Sequence, residues 1–147
     1  MRIDQLLKEF AIRHRLAPLV PDEQGAYSIY IDDDLRVTIE CRTPTLALVG
    51  ARLDALPDQG GSGNEEQMSR LLKYHFACMA NHQEILAADV SGAALVQFLP
   101  LDMERLSLDD FETALASFAN AFEFWRDQLA SLSTPTFARP PMNMLYP

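Results

Sequence analysis

Near the C-terminal end of the chain, Leu108, Phe111, Leu115, Phe118, Phe122, Trp125, Leu129 and Leu132 recur at alternating steps of three and four, which is the period of one face of an α-helix. Four of these eight are aromatic. A seam that bulky must be covered by something broad, either a sheet of the same chain or a second copy of it. Ser107 stands just ahead of the ladder, with Asp109 and Asp110 behind it. A side-chain cap and acidic groups at the positive end of the helix dipole therefore mark where this helix begins.

The rest of the 147 residues suits one domain built around that seam. Ile3, Leu6, Leu7, Phe10, Ala11 and His14 share one side of a first helix that ends before Pro18. Residues 27–31 and 35–42 alternate as strands about the turn Asp32-Asp33-Asp34, with Leu35, Val37, Ile39 and Cys41 facing one way. Residues 45–53 make a third strand, apolar on both faces: Leu46 and Leu48 on one, Ala47, Val49 and Leu53 on the other. A strand of that kind is covered twice. The glycine-rich run 57–63 is a loop, after which Asn64 caps a second helix reaching about residue 81. Its Met68, Leu71, Leu72, His75, Phe76, Cys78 and Met79 span nearly half of the circumference, wider than one contact with a sheet requires, and this points to a partner. Residues 84–90 and 94–99 pair about Ser91-Gly92. The fold expected is α+β, in the order helix, three strands, helix, two strands, helix, with an antiparallel sheet against the helices. This domain occupies residues 1–132. Residues 133–147 carry Pro135, Pro140, Pro141 and Pro147 among apolar side chains and read as an extended, sticky tail.

A formal net charge of −9 opposes any surface that must neutralise phosphates or lie on anionic lipid, so neither nucleic acid nor a membrane is an expected partner. Asp4, Lys8 and Glu9 interrupt the apolar run that a secretory signal would need, and no later segment reaches transmembrane length. The cytosol is the expected compartment. With only Cys41 and Cys78 present, there is no disulfide framework, and both read as reduced, with Cys41 on the buried side of its strand.

Reactive groups form no catalytic set. His75, Cys78 and His82 share one side of a helix, as a zinc site requires, but no fourth ligand or general base is spaced nearby, and a packed histidine is the expected reading. Asp32-Asp33-Asp34 lacks the spacing and glycine of a calcium loop. Gly60-Gly61-Ser62-Gly63 has no following Lys-Ser or Lys-Thr to make a phosphate cradle. No cofactor, metal or catalytic residue is assigned, and the chain is read as something other than an enzyme. The acidic residues toward the end of the domain, Asp102, Glu104, Asp109, Asp110, Glu112, Glu123 and Asp127, keep the surface soluble and suit a basic partner segment.

Several short motifs, in this order, resemble the class I type III secretion chaperones, the Tir-chaperone (CesT-like) family. They are Leu6-Leu7 with Phe10 and Leu16; Asp22-Glu23-Gln24-Gly25; Val37-Thr38-Ile39-Glu40; Leu53 through Leu56-Pro57; and Leu71-Leu72. Further along come Leu86-Ala87-Ala88-Asp89 with Gly92, Phe98-Leu99-Pro100-Leu101-Asp102, and Phe111, Phe118 and Trp125-Arg126 with Leu129. The resemblance spans about residues 1–132. It implies a homodimer with the second helix and a strand of the second pair near the two-fold axis, which puts Leu72, Phe76, Met79, Leu86 and Ala88 at the interface. It also implies a guest: the N-terminal region of a secreted effector, held extended and non-globular, without ATP hydrolysis. Tyr30, Ala47, Val49, Leu53 and Phe10 are the expected effector-binding residues. The rival readings are a dimeric α+β interaction or regulatory module outside secretion, and a small metal enzyme using the histidines.

Overall fold

The computed structural model describes residues 2–55, 62–89 and 94–133. Helix α1 (Ile3–Arg13) precedes three strands, β1 (Tyr27–Ile31), β2 (Leu35–Thr43) and β3 (Leu46–Ala55). Helix α2 (Ser62–Cys78), strands β4 (Ile85–Ala88) and β5 (Ala94–Asp102), and helix α3 (Leu108–Ser133) follow. The sheet is antiparallel throughout, in the order β1-β2-β3-β5-β4, and is the α+β arrangement expected. No helix among the described residues is long and apolar enough to cross a membrane.

Register explains why one face of the sheet is covered and the other is not. Ile39 lies opposite Val49, and Val49 opposite Leu99. These three, with Val37 and Ala47, point toward the helices and are buried. One residue along, the parity reverses, and Thr38, Gly50 and Phe98 share a row on the opposite face, away from the helices among the described residues. The aromatic seam of α3 closes the helical side: Phe111, Phe118 and Trp125 are among the most buried side chains of the protein, and Phe10 of α1 meets Phe111 edge-on at 5.4 Å. Outside that core, Arg13 bridges Asp109 at 2.6 Å and Glu112 at 3.1 Å. His14 Nε2 lies 2.8 Å from the same Glu112, which ties the end of α1 to the start of α3.

Ser107 caps α3 as expected. Its Oγ accepts the Asp110 amide at 3.1 Å and donates to Asp110 Oδ2 at 2.6 Å, and that hydroxyl bond, joined by the Ser107 amide donating to the same oxygen at 3.3 Å, holds the Asp110 carboxyl below its usual range. At the other end of the chain Asp22 Oδ1 accepts the amides of Gln24 and Ala26. Gly25 sits in that turn at φ +83°, a conformation that favours glycine, and the turn delivers the chain into β1.

Four expectations are corrected. Strand β5 continues through Pro100 to Asp102, because β4 stops opposite Phe98 and leaves no partner on that side to miss the proline's N–H. Helix α2 begins at Ser62, so Asn64 lies inside the helix and is not its cap. Ser133 is the last residue of α3, not the first of the tail. Cys41 is exposed, since β2 runs past the cover of the helices at its bulge between Cys41 and Thr43. Partial burial and the charge of Asp4 still push its thiol up, away from a reactive thiolate. The Ser91-Gly92 turn, most of the 57–63 loop and residues 134–147 lie outside the described residues.

Candidate interaction surfaces

The wide apolar stripe of α2 divides in two. Leu71 and His75 turn inward and are buried, whereas Leu72, Phe76 and Met79 stand in solvent, Phe76 with 77% of its surface exposed. On β4 the exposed large apolar residue is not the one expected. Leu86 pairs with Gln97 on the helical side of the sheet and is buried, while its neighbour Ile85 pairs with Phe98 on the open side and is 43% exposed. The one-residue difference decides which side chain a partner can meet. Ala88, at the end of β4, is exposed.

Behind this row His75 fastens α2 to β4. Its Nε2 accepts the backbone N–H of Leu86 at 3.3 Å, so the ring is neutral and carries its proton on Nδ1, which has no partner among the described residues. The ring packs edge-on against Trp125 at 5.4 Å. His82 turns away to Glu84, with Nδ1 2.9 Å from Oε1, and the Trp125 indole N–H reaches the same oxygen at 3.4 Å. Those partners account for both histidines of the zinc-like trio. Among the described residues no three His, Cys, Asp or Glu side chains converge as metal ligands.

Burial pushes the His75 pKa below its ordinary 6.5, against an opposing pull from Glu84. His75→Leu leaves the buried Leu86 N–H without an acceptor and is expected to cost about 1–3 kcal/mol near neutral pH. The unfolded chain takes up the His75 proton near pH 6.5, and the folded chain resists it. The parent's advantage is therefore complete above that pH and lost as pH falls through the lowered folded value. Urea titrations of both proteins at pH 7.5 and pH 5 check this; a gap that fails to narrow on acidification contradicts the assignment.

At the other side of the sheet, Tyr30 stands on the open face of the edge strand β1 and is 69% exposed. The residues expected beside it do not join it. Ala47 and Val49 have no exposed surface, and Leu53 and Phe10 have under a tenth, because the β3 face that carries the first three is the one the helices cover and Phe10 lies on the inward stripe of α1. They hold the core together and are closed to any guest. The other large apolar groups exposed in the first third of the chain are Ile12 at the end of α1 and Leu16 and Val20 in the loop that leads toward β1. Ile12 lies off the α1 stripe, and an apolar residue on the charged side of a helix was the signal available for it.

A groove of about 680 Å³ runs between α3 and residues 81–84, floored by Leu99, Leu101 and Phe118. Thr113, Ser117 and Asn120 line its α3 wall, and among the described residues the carboxylates of Glu84 and Asp110 line it as well.

The family model described as the Tir chaperone protein (CesT) family matches residues 5–126. Among solved structures, the HopA1-SchA chaperone-effector complex superposes with a TM-score of 0.68 at 21% identity, over 84% of this chain and 91% of that one. The ExsC-ExsE complex gives 0.69 at 23%, over 88% and 97%. The Yersinia pestis type III secretion chaperone SycH, in complex with a stable fragment of YscM2, gives 0.61 at 19%, over 83% and 98%. At these identities the likeness is one of fold. Among curated proteins no sequence matches this chain.

Proposed function

This chain belongs to the Tir chaperone protein (CesT) family, and from that premise we propose that it is a type III secretion chaperone. It works as a homodimer that holds the N-terminal region of a secreted effector in an extended, non-globular form, soluble and ready for secretion. One observation carries the reading. Large apolar side chains stand in solvent on an acidic body, Leu72, Phe76, Met79 and Ile85 on α2 and β4, and Ile12, Leu16, Val20 and Tyr30 on α1, the loop after it and β1. Exposed apolar groups gathered this way mark interaction surfaces. The first group serves the dimer. The second, on α1, the loop after it and the strand β1 that ends the sheet, serves the guest: an extended segment adds to the edge of β1 through main-chain hydrogen bonds and anchors alternate side chains on the apolar groups.

Ordering a disordered segment costs roughly 2–5 kcal/mol, and such coupled folding typically buries about 1,000–3,000 Å². A guest that crosses both protomers covers surface on that scale, which a single four-residue group does not provide. The activity is binding, so the reading asks no residue to make or break a bond, in keeping with a chaperone family.

Co-expression with candidate secreted proteins, followed by sizing and limited proteolysis, tests it. The expected product is a complex of two chaperones and one effector in which an N-terminal effector segment resists protease. The double variant Tyr30→Asp with Val20→Asp, both at exposed positions, is expected to stay folded and lose the effector. Retention of the effector by that variant removes the assigned surface. A bound effector with no protected segment favours an interaction module outside secretion.

A further inference from the structure

On the open face of the sheet, register gathers two arginines beside an apolar shelf. Tyr30 lies opposite Arg36, and Arg52 opposite Val96. The pairing of Thr38 with Gly50, carried two residues on, brings Arg36 toward Arg52 on the neighbouring strand, at the strand spacing of about 5 Å. In the adjoining row Phe98 lies opposite both Gly50 and Ile85. Its ring leans over the glycine, where a Cβ would meet it at 3.5 Å. Val96 and Phe98 are both half-buried and form the shelf.

These arginines differ from the others of the chain. Arg2, Arg13, Arg42 and Arg70 each bridge a carboxylate, and Arg126 lies over the Phe122 ring. Arg36 and Arg52 are exposed, and among the described residues no ion pair joins either to a carboxylate. Glu40, on the same face of β2, is engaged by Arg42 at 3.2 Å, and the turn Asp32-Asp33-Asp34 bridges neither arginine. Arg15 and Arg105 also lack a carboxylate, but each stands alone in a turn. Arg36 donates from Nε and Nη2 to Ser28 Oγ at 3.3 and 3.1 Å. That hydroxyl aims the guanidinium without neutralising it and leaves its other N–H donors open. Like charges on facing positions of a sheet repel, so a shared anion relieves the strain between them.

We propose that Arg36 and Arg52 form a carboxylate-binding pair, and that the open face takes a segment in which an Asp or Glu accompanies an apolar residue. The carboxylate sits between the guanidiniums, which grip it through paired N–H···O bonds, and the apolar side chain rests on Val96 and Phe98. Elsewhere a body of net charge −9 repels an acidic segment, so the pair fixes where along the guest the carboxylate stands. That the segment belongs to the effector rests on the chaperone reading. Tyr30 and Ile85 lie on opposite edge strands of this face, so it joins the surface assigned to the guest to the one assigned to the second copy. Four strand spacings are about 19 Å, which about six residues of extended chain cross.

The test uses the full chain and a dye-labelled synthetic peptide repeating Ser-Asp-Ser-Val, which places Asp and Val on one side of an extended backbone. Two further peptides carry Asn or phosphoserine in place of Asp. By fluorescence anisotropy the Asp peptide is expected to bind about tenfold more tightly than the Asn peptide, the effect of one charge-assisted contact. Arg36→Gln with Arg52→Gln should erase that preference, and Lys73→Gln with Arg105→Gln, which removes equal charge from other exposed sites, should preserve it. An Asp peptide that binds no better than the Asn peptide, or not at all, overturns the proposal, and this comparison needs no variant to fold. So does a preference that survives the first double variant, or one that both double variants erase, since net charge then accounts for it. Binding by the phosphoserine peptide alone assigns the pair to a phosphoryl group and overturns the carboxylate assignment. An effector captured by a chain that shows no preference leaves the chaperone reading intact and sinks the pair. A preference with no effector found does the reverse.

Discussion

Trp125→Ala is expected to destabilise the protein by about 3–5 kcal/mol, the range for truncating a large buried aromatic. Trp125 has no exposed surface and stands where α3, α2 and the start of β4 converge. Its ring lies 5.0 Å from Phe124, 5.4 Å from His75 and 5.8 Å from Tyr74, each time edge-on. Removing it opens a cavity among those three rings and takes an N–H donor from the largely buried carboxylate of Glu84. Total stabilities of domains run to about 5–15 kcal/mol, so this single change consumes a large part of the whole. Circular dichroism followed through a urea titration measures it; fluorescence cannot, because Trp125 is the one tryptophan. Trp125→Phe keeps most of the ring and is expected to recover most of the loss. A midpoint for the alanine variant equal to the parent's contradicts the role given to this residue.

The same residue shows what could be read without a structure. The α3 ladder is a local pattern, with a cap residue and a period inside one stretch of chain, and the helix formed as that pattern requires. Strand β1 and the turn after it are equally local. The site residues depend on something else. The alternation along β3 separates Ala47 and Val49 from Leu46 and Leu48, but both sets are apolar, and only the neighbouring strand says which set the helices cover. Strand β2 carries that information. Its Arg36, Thr38 and Glu40 mark the open face, and the pairing of Thr38 with Gly50 and Glu40 with Leu48 places Leu48 there and sends Val49 inward. The register is a non-local fact, absent from any single window of sequence. Leu86 and Ile85 exchange roles for the same reason, through the pairing with Gln97 and Phe98. In α2, by contrast, the excess width of the stripe did point to the outward row of Leu72, Phe76 and Met79, because helix width is a local property. Pro100 misled in the other direction: proline normally argues against a strand, but an edge without a partner has no use for the missing donor.

Phe76→Asp combined with Met79→Asp is expected to separate the proposed homodimer into folded monomers. Both side chains are mostly exposed, so the substitutions cost the isolated protomer little, and circular dichroism and the urea midpoint of the monomer should change only slightly. At a two-fold interface each substitution acts twice, because the same patch faces its own copy. Truncating a buried anchor at an interface costs about 2 kcal/mol or more. Two substitutions in each of two protomers make four such losses, additively about 8 kcal/mol, on the order of a millionfold in the dissociation constant. Four added carboxylates at the axis work in the same direction. Two protomers that each carry a formal charge of −9 repel one another, and the apolar row has to overcome that repulsion. Salt screens it, so the parent dimer should tighten as ionic strength rises, and the residual association of the variant should be the more salt-dependent of the two. Sedimentation at several salt concentrations reads both effects. If the double variant sediments as the parent does, the self-contact lies elsewhere, and the exposed row of α2 is then free for the effector.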